Sequence, residues 1–157
     1  MSLQPDFFFS RAEEITVDFL KQQHIRMVLF DADATLIQAH DDQILPERLA
    51  FVQRIQDAGI RILIASNGKT NRIEKAFGMY PVETCSYSLK PLPFRLGRCL
   101  WGIPKQEVLL VGDQFFTDVL CAKLLRIRSA MVEPYGTDKG FMIGFRRRLE
   151  KLIVKRK

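Results

Sequence analysis

The sequence predicts an α/β fold, a three-layer α/β/α sandwich around a parallel sheet. Three observations carry this. Short apolar runs alternate with helix-like segments, as in successive βα units. The runs are nearly continuous in Val, Ile and Leu, the composition of strands buried on both faces. At 157 residues and 47% hydrophobic side chains, the chain is long enough to bury a substantial core in one domain.

The elements follow in order. A helix near Ile15–Gln22 leads into the first strand, Arg26–Phe30. The next helix runs from Pro46 to Ala58: Pro suits the first helical position, and Gly59 suits the stop. Helical spacing turns Leu49, Val52 and Ile55 toward the sheet. Strands at Arg61–Ala65, Val108–Val111 and Ser129–Val132 complete the central set, with a shorter one near Cys85–Tyr87. Further helices are expected at Thr70–Phe77, Pro93–Trp101 and Phe116–Leu125. No repeat, low-complexity stretch or long linker divides the chain.

Composition narrows the chemistry. Cys85, Cys99 and Cys121 are odd in number and in no metal-ligand spacing, which points to reduced thiols and a cytoplasmic setting. Only His24 and His40 are present, which argues against a histidine metal centre or a Ser-His-Asp site. No apolar run approaches the roughly 20 residues that span a bilayer, and the start lacks the basic region of a signal peptide. The net charge of +6 is uneven: from Lys139 onward the chain carries +7, so residues 1–138 net −1.

Four polar signals sit at strand ends, where sites form in a parallel α/β sheet. The first is Asp31, Asp33 and Thr35, after Met27–Phe30. Two carboxylates two residues apart at the mouth of a buried strand are costly unless a cation neutralises them. An aspartyl nucleophile working with Mg²⁺ needs this pattern, since the metal offsets repulsion between carboxylate and phosphate. The second is Ser66-Asn67, able to bond phosphate oxygens. The third is Lys90-Pro91, whose ammonium can neutralise nucleophile and phosphate together. The fourth is Gly112-Asp113 through Asp118, whose carboxylates can complete a Mg²⁺ site. Each alone has a plainer reading: a strand-end turn, a helix cap, a surface lysine. Their order along one chain is what sets those readings aside.

With that order, the chain resembles the haloacid dehalogenase (HAD) superfamily of phosphohydrolases over nearly its whole length. The resemblance is closer to the YqeG-like group of subfamily IIIA, related to phosphatidylglycerophosphate phosphatases. It rests on the four signals and on Gly140-Phe141 followed by a basic helix. It implies a Rossmann-like sheet without a cap domain and a Mg²⁺ cofactor. It implies Asp31 as nucleophile and metal ligand. Asp33 then binds the metal through its backbone carbonyl and serves as acid and base. Thr35, Ser66 and Asn67 bind the phosphate. Lys90 balances charge, Asp113 binds metal, and Asp118 supports Lys90 or the metal shell. One position departs: Ala34 stands where the family often has Asn or Gly.

Substrate size follows from spacing. The 35 residues from Asp31 to Ser66 and the 24 from Ser66 to Lys90 leave no room for a folded cap. An open site suits a large substrate, such as a lipid head group; a small one needs an oligomer neighbour to cover it. From Phe141 the sequence reads as a basic amphipathic helix over about 141–157, suited to an anionic membrane surface on the inner face or to packing on the body. Phe7-Phe8-Phe9 is a second candidate membrane contact or a core element. The expectation is dephosphorylation of phosphatidylglycerophosphate to phosphatidylglycerol. The alternatives are a soluble metabolite or phosphoprotein as substrate, or a non-catalytic RNA- or ribosome-binding module. Nucleic acid ranks below lipid, because no aromatics interleave the last cations of the tail.

Overall fold

The computed structural model describes residues 4–38, 41–68, 70–78, 80–136 and 144. The expected basic helix at 141–157 lies outside them, Gly144 apart. Six parallel strands form one sheet: β1 (Phe7–Phe9), β2 (Met27–Asp31), β3 (Arg61–Ala65), β4 (Glu83–Cys85), β5 (Val108–Gly112) and β6 (Arg128–Val132). Their spatial order is β1-β6-β5-β2-β3-β4, so β2 lies between β3 and β5.

Alternation along the strands divides the core into two layers. Val28 and Phe30 of β2, Ile62 and Ile64 of β3, and Leu109 and Val111 of β5 face one side. There they meet Leu20 of α1 (Val17–Gln22), Phe51, Val52 and Ile55 of α2 (Pro46–Asp57), and Ile73 and Phe77 of α3 (Thr70–Phe77). Met27, Leu29, Leu63 and Leu110 face the other side. There they meet Leu96 of α4 (Phe94–Cys99) and Cys121, Ala122 and Leu125 of α5 (Leu120–Leu125). This is the expected three-layer sandwich. Burying each large apolar side chain contributes about 1.5–3 kcal/mol, which is why the central strands read as unbroken apolar runs.

Three elements differ from the sequence reading. β4 is Glu83–Cys85, two residues earlier than expected, because its pairing with β3 sets Leu63 opposite Glu83. The helix expected at Phe116–Leu125 begins as a π-helical turn over Phe115–Val119 before α5. Phe7-Phe8-Phe9 is a strand that the sequence does not announce. It pairs with β6 in the register Phe7↔Ala130. Phe7 and Phe9 stack edge-on against Phe19 at 5.0 and 5.2 Å between ring centroids. Asp6 holds the edge strand, accepting from the Ser129 backbone N–H (2.8 Å) and pairing with Lys123 (3.0 Å).

Among the described residues, the chain from β2 to β3 is a loop and α2, and from β3 to β4 is α3. Neither connection holds a folded insert above the sheet. No helix among the described residues is long and apolar enough to cross a membrane.

Candidate active site

The carboxyl ends of β2, β3 and β5 lie side by side, and the polar signals of the sequence converge there. Asp31 is the last residue of β2, and Asp113 follows β5 directly. Lys90, from the loop after β4, crosses to them. Its ammonium lies 2.5 Å from Asp31 Oδ1 and 2.5 Å from Asp118 Oδ1, almost completely buried. The carboxylate oxygens of Asp31, Asp113 and Asp118 all come within 4.8 Å of one another.

Gly112 makes this convergence possible. A Cβ placed on it would sit 2.2 Å from Asp118 Oδ2, far inside contact distance. The Asp118 carboxylate folds back against the end of β5 and also accepts from the Gln114 N–H at 3.1 Å.

The electrostatics are unbalanced. Three buried carboxylates share one ammonium. Burial pushes the Asp31 carboxyl well above its usual range; Lys90 pulls it down, but Asp118 and Asp113 add to the rise. Burial and then Asp118 push Asp113 up to about 7. Burial by itself would lower the Lys90 ammonium, yet Asp31 and Asp118 outweigh it and raise it, so Lys90 stays charged. Asp113 Oδ1 is buried and makes no hydrogen bond with a described residue. An acid-rich cluster with an unspent oxygen fits a hard divalent cation, which prefers carboxylate oxygens. Asp31, Asp113 and Asp118 are the carboxylates that can hold it.

Asp33 is not part of that cluster. Its carboxylate turns to Arg72 of α3, 2.5 Å from Oδ1 and 2.6 Å from Oδ2. Ser66 Oγ reaches Asp33 Oδ2 at 3.5 Å and accepts from the Gly68 N–H at 2.9 Å. The Thr35 hydroxyl is buried with no hydrogen-bond partner among the described residues, so its donor is free for an oxyanion.

Asn67 departs from its expected place among the phosphate-binding groups. Its amide oxygen accepts from the Lys90 N–H and the Ser88 hydroxyl, both at 2.8 Å, and its amide NH₂ donates to the Lys90 carbonyl at 2.9 Å. The side chain is spent on the loop that carries Lys90.

Two arginines escaped the sequence reading. Arg72 looks like any surface cation until α3 docks its first turn beside Asp33. Arg48 is buried, ion-paired with Glu13 at 2.5 Å, and donates to the Thr35 carbonyl. Its guanidinium stands 4.0 Å over the Tyr135 ring, and the Tyr135 N–H bonds the Ala34 carbonyl at 2.6 Å. Arg48 shares a helical face with Phe51, Val52 and Ile55; a cation at that spacing on an apolar stripe was the available signal.

Comparison with known proteins bears on the fold and on the class of enzyme. The family model described as mitochondrial PGP phosphatase matches residues 2–78. "Probable phosphatase YqeG" of Bacillus subtilis (strain 168) is 25% identical over 152 residues, covering 96% of this chain and 88% of that protein. In fold, the chain is similar to the deoxy-D-mannose-octulosonate 8-phosphate phosphatase YrbI of Haemophilus influenzae. That likeness has TM-score 0.54 and 15% identity over 85% of this chain and 90% of that one. It is also similar to a HAD superfamily (subfamily III A) hydrolase from Legionella pneumophila, with TM-score 0.53 and 11% identity over 86% and 91%. A parallel sheet, an acidic cluster on its carboxyl edge and a phosphatase relative spanning nearly the whole chain point the same way: this chain is similar to the YqeG-like phosphatases of the haloacid dehalogenase superfamily.

Proposed function

We propose that the protein hydrolyses a phosphomonoester through Asp31, with Mg²⁺ at the acidic cluster, and that its substrate is phosphatidylglycerophosphate. The observation that carries the reaction is Lys90 between Asp31 and Asp118, with Asp113 beside them. The family model's description supports the substrate. So does the absence of a folded insert over the site among the described residues.

Asp31 Oδ attacks phosphorus, forming an aspartyl-phosphate as the bond to the leaving oxygen breaks. Asp33 gives that oxygen a proton. Asp33 then takes a proton from water, the water oxygen attacks phosphorus, and the acyl phosphate breaks to free phosphate and the Asp31 carboxylate. Lys90 holds the nucleophile in line and offsets charge on the phosphoryl oxygens, while Thr35 and Ser66 donate to them. Asn67 and Asp118 position Lys90. Asp31, Asp113 and Asp118 would hold Mg²⁺, with the Asp33 carbonyl as a further candidate ligand, and the bound ion would supply Lewis-acid charge neutralisation at the phosphate.

The test is Mg²⁺-dependent phosphate release from phosphatidylglycerophosphate in mixed micelles, beside a panel of soluble phosphomonoesters. Preference for the lipid by orders of magnitude supports the reading. Turnover of soluble esters alone keeps the mechanism and discards the lipid.

A further inference from the structure

We propose that residues 85–106, which carry Lys90, form a docking surface that seats the open site on an anionic lipid bilayer. This rests on the reading of the substrate as a lipid.

The stretch holds four cations, Lys90, Arg95, Arg98 and Lys105, and no Asp or Glu. Lys90 is buried in the site; the other three are exposed and form no ion pair with a described residue. Of nine exposed large hydrophobic residues among the described ones, five lie here: Tyr87, Leu89, Leu92, Phe94 and Trp101. Phe94 is 73% exposed and Trp101 93%. Scattered apolar residues on a surface need no explanation, but a cluster beside a site does.

Position ties the cluster to the site. Leu89 adjoins Lys90, and a sixth exposed residue, Phe116 (77% exposed), stands two residues before Asp118, which pairs with Lys90. Exposed apolar side chains thus neighbour both partners of the buried ion pair along the chain, Leu89 on the loop after β4 and Phe116 on the π-helical turn after β5. Helical spacing puts Phe94, Arg98 and, just past the helix end, Trp101 on the side of α4 opposite the buried Leu96 and Leu100.

The backbone displays these side chains. Tyr87 (φ 49°) and Leu89 (φ 58°) sit in the left-handed region that bulky residues seldom adopt. Such strain persists only where the surroundings over-determine it. Here the Asn67 amide bonds Ser88 and Lys90, holding the loop in place. Aromatic rings with unpaired arginines and no acid fit the boundary of an anionic bilayer, where Trp sits at head-group depth and Arg meets phosphate. The surface lies on the described body.

Trp101 is the sole tryptophan of the chain and reports directly on this surface. The full chain is titrated with mixed phosphatidylglycerol–phosphatidylcholine vesicles, with pure phosphatidylcholine vesicles as control. The expected result is a blue shift of Trp101 emission, with quenching by acyl-brominated lipid, on the anionic vesicles only. Phe94→Glu should weaken that binding by roughly tenfold or more while turnover of para-nitrophenyl phosphate stays at the wild-type rate. Should that variant not fold, brominated-lipid quenching of the unaltered chain decides the matter. Association with vesicles while Trp101 stays unshifted overturns the proposal in favour of another contact. A shift that appears with protein concentration alone, with a doubled mass, assigns the surface to a second copy. A shift with single-stranded RNA and none with vesicles assigns it to nucleic acid. The vesicles contain no phosphomonoester, so failure to hydrolyse phosphatidylglycerophosphate counts against the substrate reading and leaves this result standing by itself.

Discussion

The side-chain amide of Asn67 bonds both backbone polar groups of Lys90: the N–H at 2.8 Å and the carbonyl at 2.9 Å. A residue at the end of β3 thereby fixes a loop that leaves β4, and the loop fixes the ammonium at Asp31. Asn67→Ala removes three hydrogen bonds, each worth about 1 kcal/mol net. We expect a loss of roughly 1–3 kcal/mol in urea unfolding and a fall of about 10–100-fold in kcat, by analogy with other orienting side chains. Unchanged kcat with reduced stability would leave Asn67 a purely structural residue.

Asp31→Asn should abolish turnover, by roughly 10⁴-fold or more, because no other side chain can take its covalent role. The variant should fold as well as the parent protein in EDTA, or better, since one of three crowded carboxylates loses its charge. Near-normal phosphate release by this variant removes Asp31 from the nucleophile's position.

Arg72 grips both oxygens of Asp33 and also donates to the Asp41 carbonyl at 2.8 Å. The pair is part-exposed, so its contribution to stability is small, about 1 kcal/mol or less. Its contribution to catalysis is orientation. Arg72→Ala should lower kcat about tenfold or more while the urea midpoint moves little. A large stability loss with unaltered kcat contradicts that division.

Asp113 links stability to pH and metal. Its carboxyl is raised from 3.8 to about 7, so between those values the folded protein binds more protons than the unfolded chain. Its contribution is fully present below pH 3.8 and is lost as pH rises to about 7, at most about 4 kcal/mol. A metal takes the ionised form and competes with the proton. Thermal melts should show EDTA-treated protein weakening from pH 5 to pH 7.5 by at most about 2–3 kcal/mol, the rest having been lost below pH 5, and Mg²⁺ stabilising it more at the higher pH. Equal Mg²⁺ stabilisation at both values would exclude Asp113 from the metal's coordination.

Ala34 lies at φ 56°, in the left-handed region. Asn and Gly tolerate it; Ala carries about 1–2 kcal/mol of strain there. That is a physical reason for the Asn or Gly that the resemblance leads one to expect at this position. Ala34→Gly relieves the strain at a cost of about 0.5–1 kcal/mol in unfolded-chain entropy. A net gain of roughly 0.5–1 kcal/mol in urea unfolding is expected, and a loss would show that the Ala34 methyl packs usefully.

Several features were legible because they depend on local pattern. The strands at 27–31, 61–65, 108–112 and 128–132 announce themselves as buried apolar runs, and α2 is bracketed by Pro46 and Gly59. The Asp31, Lys90 and Asp113 signals stand at strand ends in the order the chemistry requires. β1 was not legible, because three phenylalanines give no alternation; only pairing with β6 and the anchoring of Asp6 make them a strand.

Sequence alone determined the layers, the parallel sheet and the acidic cluster with its lysine, since burial periodicity and strand-end chemistry are properties of neighbouring residues. Tertiary structure alone decided which side chains face each other across that sheet. It set Asp118 against Gly112, turned Asn67 from the substrate to the Lys90 loop, and brought Arg72 to Asp33 and Arg48 to Thr35. Those relationships join residues 6 to 39 positions apart, and their geometry exists only once strand register and helix docking have placed both partners.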